Sequence, residues 1–155
     1  MNLDSLLRFV KREKNVDIKF SQLNFSTLLK ENDIAELRKA DGFVFYDKDE
    51  KAYYIAIESE KSTLFKRFAF VHELSHILLN HVNNVQVSTH IASDFEYEGI
   101  DEKENEANMF ALMLLMPNVS FDLLYKRGMR VEELAKVYKV SLEAVLSRIK
   151  LVGAE

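Results

Sequence analysis

His72, Glu73 and His76 fall within five consecutive residues, His72-Glu73-Leu74-Ser75-His76, so that two imidazoles stand four positions apart with a carboxylate directly after the first. On a helix, side chains at that spacing share one face with Cβ atoms about 5 to 6 Å apart, and both rings can reach a single metal ion. The pattern H-E-x-x-H on a helix suits two zinc ligands and a general base that takes a proton from water. The surrounding Phe68, Phe70, Val71, Leu74, Ile77 and Leu78 are apolar enough to be buried. Two imidazoles and a carboxylate in such a helix are costly unless something pairs them.

A catalytic zinc keeps three protein ligands and an open position, and this chain has no cysteine, so the third ligand must be His, Asp or Glu. Disulfides and thiol catalysis are excluded on the same ground. His81 comes five residues after His76, off the ligand face of a continuing helix, and the metzincin arrangement would need a His where Val82 stands. Glu104, in Glu104-Asn105-Glu106-Ala107-Asn108, is the better candidate. Glu104 and Asn108 share a face, so the carboxylate can ligate while Asn108 orients a ligand imidazole, and small Ala107 allows close helix approach. Glu106 is expected to point to solvent. The competing reading of Glu104 is an acidic residue favoured by the helix dipole beside Asp101 and Glu102.

The elements that must hold these residues follow from pattern. Residues 63–82 form a strongly apolar helix around the histidines, residues 83–99 are expected to be an irregular loop, and a second buried helix runs from about residue 101 until Pro117 stops it. Met109, Met113 and Met116 recur on it at helical spacing and are expected in the core. Before the first helix, residues 43–46 and 52–57 flank a polar turn as an aromatic and β-branched hairpin. Its second strand, residues 53–57, is expected at the sheet edge, where an extended substrate could add as a strand. Upstream, residues 2–13 are an amphipathic helix capped by Asn2 or Asp4, residues 16–20 a short strand, and residues 25–29 and 34–37 short helices.

With 155 residues, 48% hydrophobic and 30% charged, one compact domain is expected. A formal charge of −4 supplies no field that would draw nucleic acid or anionic lipid. The N-terminus has neither a signal peptide nor a span, so a cytoplasmic protein without membrane association is expected.

The two blocks, residues 67–76 and Glu104 through Pro117, about thirty residues apart in that order, resemble the ImmA/IrrE family of zinc metallopeptidases. The resemblance covers roughly residues 40 to 150 and is strong in the two blocks. It implies His72, His76 and Glu104 as ligands of Zn2+ and Glu73 as catalytic base. Ser75 stands where the family usually has Gly or Ala, a small change. For the residue that would stabilise an oxyanion, His81, His90 and Tyr97 are candidates. The implied fold is α+β and minigluzincin-like: a small antiparallel or mixed sheet packed against a helical bundle. Residues 1–125 would be the metallopeptidase domain, and residues 126–155 a helix-turn-helix-like segment packed on it.

That tail has Lys139 in place of the usual turn Gly, and Arg148 and Lys150 are set against Glu132, Glu133 and Glu143. This is poor electrostatics for DNA, so packing or protein docking is expected instead. The resemblance implies a protein substrate, usually a helix-turn-helix repressor of a mobile element or stress operon. A zinc-holding regulator that docks a repressor or DNA without cutting, or a component of a toxin-antitoxin module, are the competing functions. Manganese or iron could occupy the same donor set.

Overall fold

A computed structural model of the chain describes residues 2–27, 40–88, 91 and 101–152. The fold is α+β. Helix α1 (Leu3–Lys14) starts where the Asn2 side chain accepts from the Asp4 amide at 2.9 Å, and stops at Asn15, left-handed at φ 51°. Leu3, Leu6, Leu7 and Val10 turn inward from it. Strand β1 (Asp17–Leu23) follows, and β2 (Gly42–Asp47) and β3 (Ala52–Glu58) form the hairpin. Its turn is made by Asp47, whose carboxylate accepts from the Asp49 and Glu50 amides at 2.9 and 3.1 Å, and by Lys51 at φ 53°. The expected helix at residues 34–37 lies outside the described residues, as do residues 28 and 29 of that expected at 25–29, whose residues 25–27 are helical.

The four-stranded sheet has the order β1-β3-β2-β4, with β1 parallel to β3 and the other pairings antiparallel. Residues 53–57 are therefore interior, hydrogen-bonded on both sides, and cannot accept an added strand. The edges are β1 and β4 (Val85–Ser88). Strand β4 also corrects the expected loop: residues 85–88 are extended because they pair with β2, Gly42 opposite Ser88 and Phe43 opposite Val87.

Helix α2 (Thr63–Leu78), N-capped by Ser62, is buried without interruption from Phe68 to Ile77. It lies between the sheet residues Val44, Ile55 and Ile57 and helix α3 (Glu102–Leu115), which Asp101 caps by accepting from the Lys103 amide at 2.7 Å. Each large aliphatic side chain enclosed there contributes about 1.5–3 kcal/mol. The buried face of α3 is Glu104, Ala107, Asn108, Ala111, Leu112 and Leu115. Of the methionines, Met116 is buried, Met113 half-buried and Met109 exposed, because Met109 lies off that face.

Beyond Pro117 the chain forms α4 (Asn118–Lys126), which the sequence reading did not separate, then α5 (Val131–Tyr138) and α6 (Leu142–Val152). Lys139 between the last two takes a left-handed conformation at φ 55°, the conformation for which Gly is the usual choice. Arg148 on α6 is fully buried: its Nε donates to the Met116 carbonyl at 2.9 Å, its Nη2 to Asn118 Oδ1 at 2.5 Å, and it lies over the Phe121 ring. It ties α6 to the corner between α3 and α4 and presents no charge to a partner. No single helix among the described residues is long and apolar enough to cross a membrane.

Candidate metal centre

Helical periodicity brings His72 and His76 together on α2, ring centroids 4.7 Å apart and nearly perpendicular, with the two Nε2 atoms 3.1 Å from each other. The first turn of α3 meets them. Glu104 Oε1 is 2.8 Å from His76 Nε2, and Oε2 is 3.3 Å from His72 Nε2. Ala107, with no exposed surface, permits this approach of helix to helix. Zinc bonds of 2.0–2.2 Å in a tetrahedron place ligand atoms about 3.3 Å apart, so two imidazole nitrogens and one carboxylate oxygen at these separations suit one ion.

Protonation points the same way. Burial pushes the His76 imidazole below its ordinary value, and the nearby His72 ring adds to this against the pull of Glu104. Burial raises the Glu104 carboxyl, but the hydrogen bonds and charges of His72 and His76 outweigh it and hold the group well below the carboxylate range. Neutral imidazole and ionised carboxylate are the ligating forms. With lone pairs on both, atoms 2.8 Å apart repel unless a proton or a cation lies between them. Three donors converging in a buried place, with a net charge of one carboxylate, fit a divalent ion.

Glu73 is fully buried, and among the described residues neither carboxylate oxygen has a hydrogen-bond partner of acceptable geometry. Burial pushes its carboxyl well above the ordinary value; the Ser88 hydroxyl opposes this, and the charges of Glu104 and Asp41 reinforce it. A carboxyl raised in this way, next to a histidine that could hold a metal, keeps its proton to higher pH than an exposed one.

Asn108 is buried one turn after Glu104. Among the described residues His72 Nδ1 has no hydrogen-bond partner, whereas His76 Nδ1 is met by His81 Nδ1 at 2.9 Å. His81 Nε2 in turn contacts Glu106 Oε2 at 2.8 Å. Glu106 is thus not simply solvated, and His81 is engaged on the side of the His76 ring away from Glu104, not placed to meet an oxyanion. His90 and Tyr97 lie outside the described residues.

Two contributors escaped the sequence reading. Ser88, at the end of β4, places Oγ 3.2 Å from His72 Nε2 and 3.3 Å from Glu104 Oε1, and Gln86 Nε2 donates to the same carboxylate at 3.2 Å. The alternation of Val85 and Val87 was the available signal, since it turns Gln86 and Ser88 to the opposite face.

The family model described as Peptidase_M78, IrrE N-terminal-like domain, matches residues 28–150. No curated protein matches the chain.

Proposed function

The chain belongs to the Peptidase_M78 family of IrrE N-terminal-like domains, and on that premise we propose that it is a cytoplasmic endopeptidase with His72, His76 and Glu104 as zinc ligands, Asn108 supporting them and Glu73 as general base. The family is one of zinc-dependent metallopeptidases. The observation that carries the reading is the convergence of His72, His76 and Glu104 around one point, next to the fully buried carboxylate of Glu73.

When bound, zinc polarises the scissile carbonyl and lowers the pKa of water to about 7. Glu73 accepts a proton from the attacking water as the water oxygen bonds to the carbonyl carbon. It then delivers that proton to the amide nitrogen as the carbon–nitrogen bond breaks, so the products are an amine and a carboxylic acid, which loses its remaining proton to the amine or to solvent. Glu104 brings the negative charge that holds the cation, and the apolar wall of α2 keeps bulk water from the general base.

The proposed substrate is a protein, a helix-turn-helix repressor of a mobile element or stress operon. Residues 1–125 form the catalytic unit in this reading, and residues 126–155 a segment packed on it, which the burial of Arg148 supports. The test is to load wild type and Glu73→Gln with zinc and incubate each with the repressor encoded beside the gene. Cleavage by wild type alone upholds the peptidase. Equal zinc content without any Glu73-dependent cleavage replaces it with a protein that docks its partner uncut.

A further inference from the structure

We infer that His81, braced by Glu106, is a positioning residue that accepts the Nδ1 proton of His76 and thereby keeps the Nε2 lone pair of His76 aimed at the metal. The inference rests on the metal-site reading above and adds two residues that ligate nothing.

The geometry begins with the end of α2. The helix stops at Leu78, and Asn80 adopts a left-handed conformation at φ 60°. The Asn80 amide donates to the Ile77 carbonyl at 3.2 Å and the His81 amide to the His76 carbonyl at 2.9 Å, the two bonds of a Schellman turn. Lys14 of α1 holds the turn by donating to Asn80 Oδ1 at 2.5 Å. A continuing helix would carry residue 81 away from the ligand face. The turn throws it back, so that the His81 and His76 ring centroids lie 5.1 Å apart with the two Nδ1 atoms facing each other.

Donor counting then fixes the roles. Two Nδ1 atoms at 2.9 Å form a hydrogen bond only if one of them carries a proton. A neutral His76 that offers Nε2 to a metal carries its proton on Nδ1, so His81 Nδ1 must accept. The proton of His81 then sits on Nε2, 2.8 Å from Glu106 Oε2, a carboxylate that accepts. Every atom then has one role. A partner on the far nitrogen fixes the tautomer and ring orientation of a ligating histidine and raises its basicity.

Burial grades the importance of the two residues. His76 and His81 are 0% and 7% exposed, while the Glu106 side chain is half exposed. Water can replace the half-exposed Glu106, whereas the partner of buried His76 Nδ1 is His81 itself.

The experiment measures the zinc dissociation constant by chelator competition for wild type, His81→Leu, His81→Gln and Glu106→Gln, and reads the imidazole nitrogens of zinc-loaded wild type by heteronuclear NMR. His81→Leu should weaken zinc binding about 10- to 100-fold. His81→Gln, whose amide oxygen can accept, should recover most of that loss, and Glu106→Gln should lose less than His81→Leu. The NMR should show His81 protonated on Nε2 and not on Nδ1. A proton on Nδ1 of His81, or a His81→Leu affinity within about threefold of wild type, overturns the inference. If His81→Leu does not fold, the wild-type NMR and His81→Gln decide. A wild type that binds no zinc overturns the metal-site reading and this inference with it; zinc bound equally by wild type and His81→Leu overturns this inference alone.

Discussion

Gly42 leaves open the space that Glu73 occupies at the sheet–helix interface: a β-carbon built on Gly42 would lie 2.9 Å from Glu73 Oε1. Strand β2 thus begins beneath the carboxylate assigned as general base, on a residue that has no side chain to displace it. Gly42 also pairs with Ile57 on one side and Ser88 on the other, so its backbone is held in place.

Gly42→Ala should therefore impair catalysis more than metal binding. The new methyl would meet Ile57 Cδ1 at 3.0 Å and the Ala56 carbonyl oxygen at 3.1 Å as well, and the carbonyl cannot swing away. Overpacking of this kind costs about 1–3 kcal/mol, and Glu73 is the neighbour with most freedom to move. The expected result is a lower unfolding midpoint and a kcat reduced well beyond the change in zinc affinity. Unchanged kcat with full zinc would show that Glu73 does not depend on the space Gly42 leaves.

Glu73→Gln should make the metal-free protein more stable while abolishing hydrolysis. A carboxyl raised by burial stabilises the fold fully below its unfolded value near 4.5, and that contribution is lost as pH rises through the higher folded value. Gln has no such loss, so the variant's advantage should be small in acid and grow toward neutral pH. Gln keeps a buried polar amide, so what the substitution removes is the cost of ionising a buried carboxyl, about 1.4 kcal/mol for each pH unit by which burial raises it. Chemical denaturation of the metal-free proteins across that pH range checks the trend; a constant difference would mean that Glu73 does not titrate as its burial requires.

Removal of Glu104 should uncouple zinc from stability. Any ion that binds only the folded chain stabilises it by about 2.7 kcal/mol at one hundred times its dissociation constant. Wild type should show that gain in a thermal or denaturant titration with zinc. Glu104→Ala, which leaves only His72 and His76 of the three converging ligands, should show almost none at the same concentration. An equal gain in both proteins would place the ion elsewhere.

The closeness of His72 and His76, with Glu73 beside them, was legible because it is local: a helical period of four within an apolar run needs no knowledge of the rest of the fold. Glu104 could be reached from its face-sharing with Asn108 and from small Ala107. What sequence spacing missed was set by geometry between elements. His81 looked misplaced because helix α2 was continued to residue 82, whereas Asn80 takes the left-handed turn that Gly would have announced. Ser88 was hidden because β4 is only four residues long and exists through its pairing with β2. Strand β3 was assigned to an edge because hairpin pattern cannot reveal that β1 adds in parallel on its other side.

Arg148 separates a packed tail from a DNA-reading one. Its charge looked available in sequence, yet it is fully buried beneath the Met116 carbonyl, Asn118 and the Phe121 ring, while Lys150 two residues later is exposed. Arg148→Ala should lower stability by about 1–3 kcal/mol or more, since it removes packing and leaves the buried Met116 carbonyl without its donor. Lys150→Ala should stay within about 0.5 kcal/mol of wild type. If the tail bound DNA through these two cations, neutralising Lys150 would weaken retention on duplex DNA in a salt-dependent way with the fold intact. The buried guanidinium leads instead to a stability loss confined to Arg148→Ala, with weak retention of wild type and Lys150→Ala alike, because a side chain consumed in holding α6 to the α3–α4 corner has no charge left for phosphate.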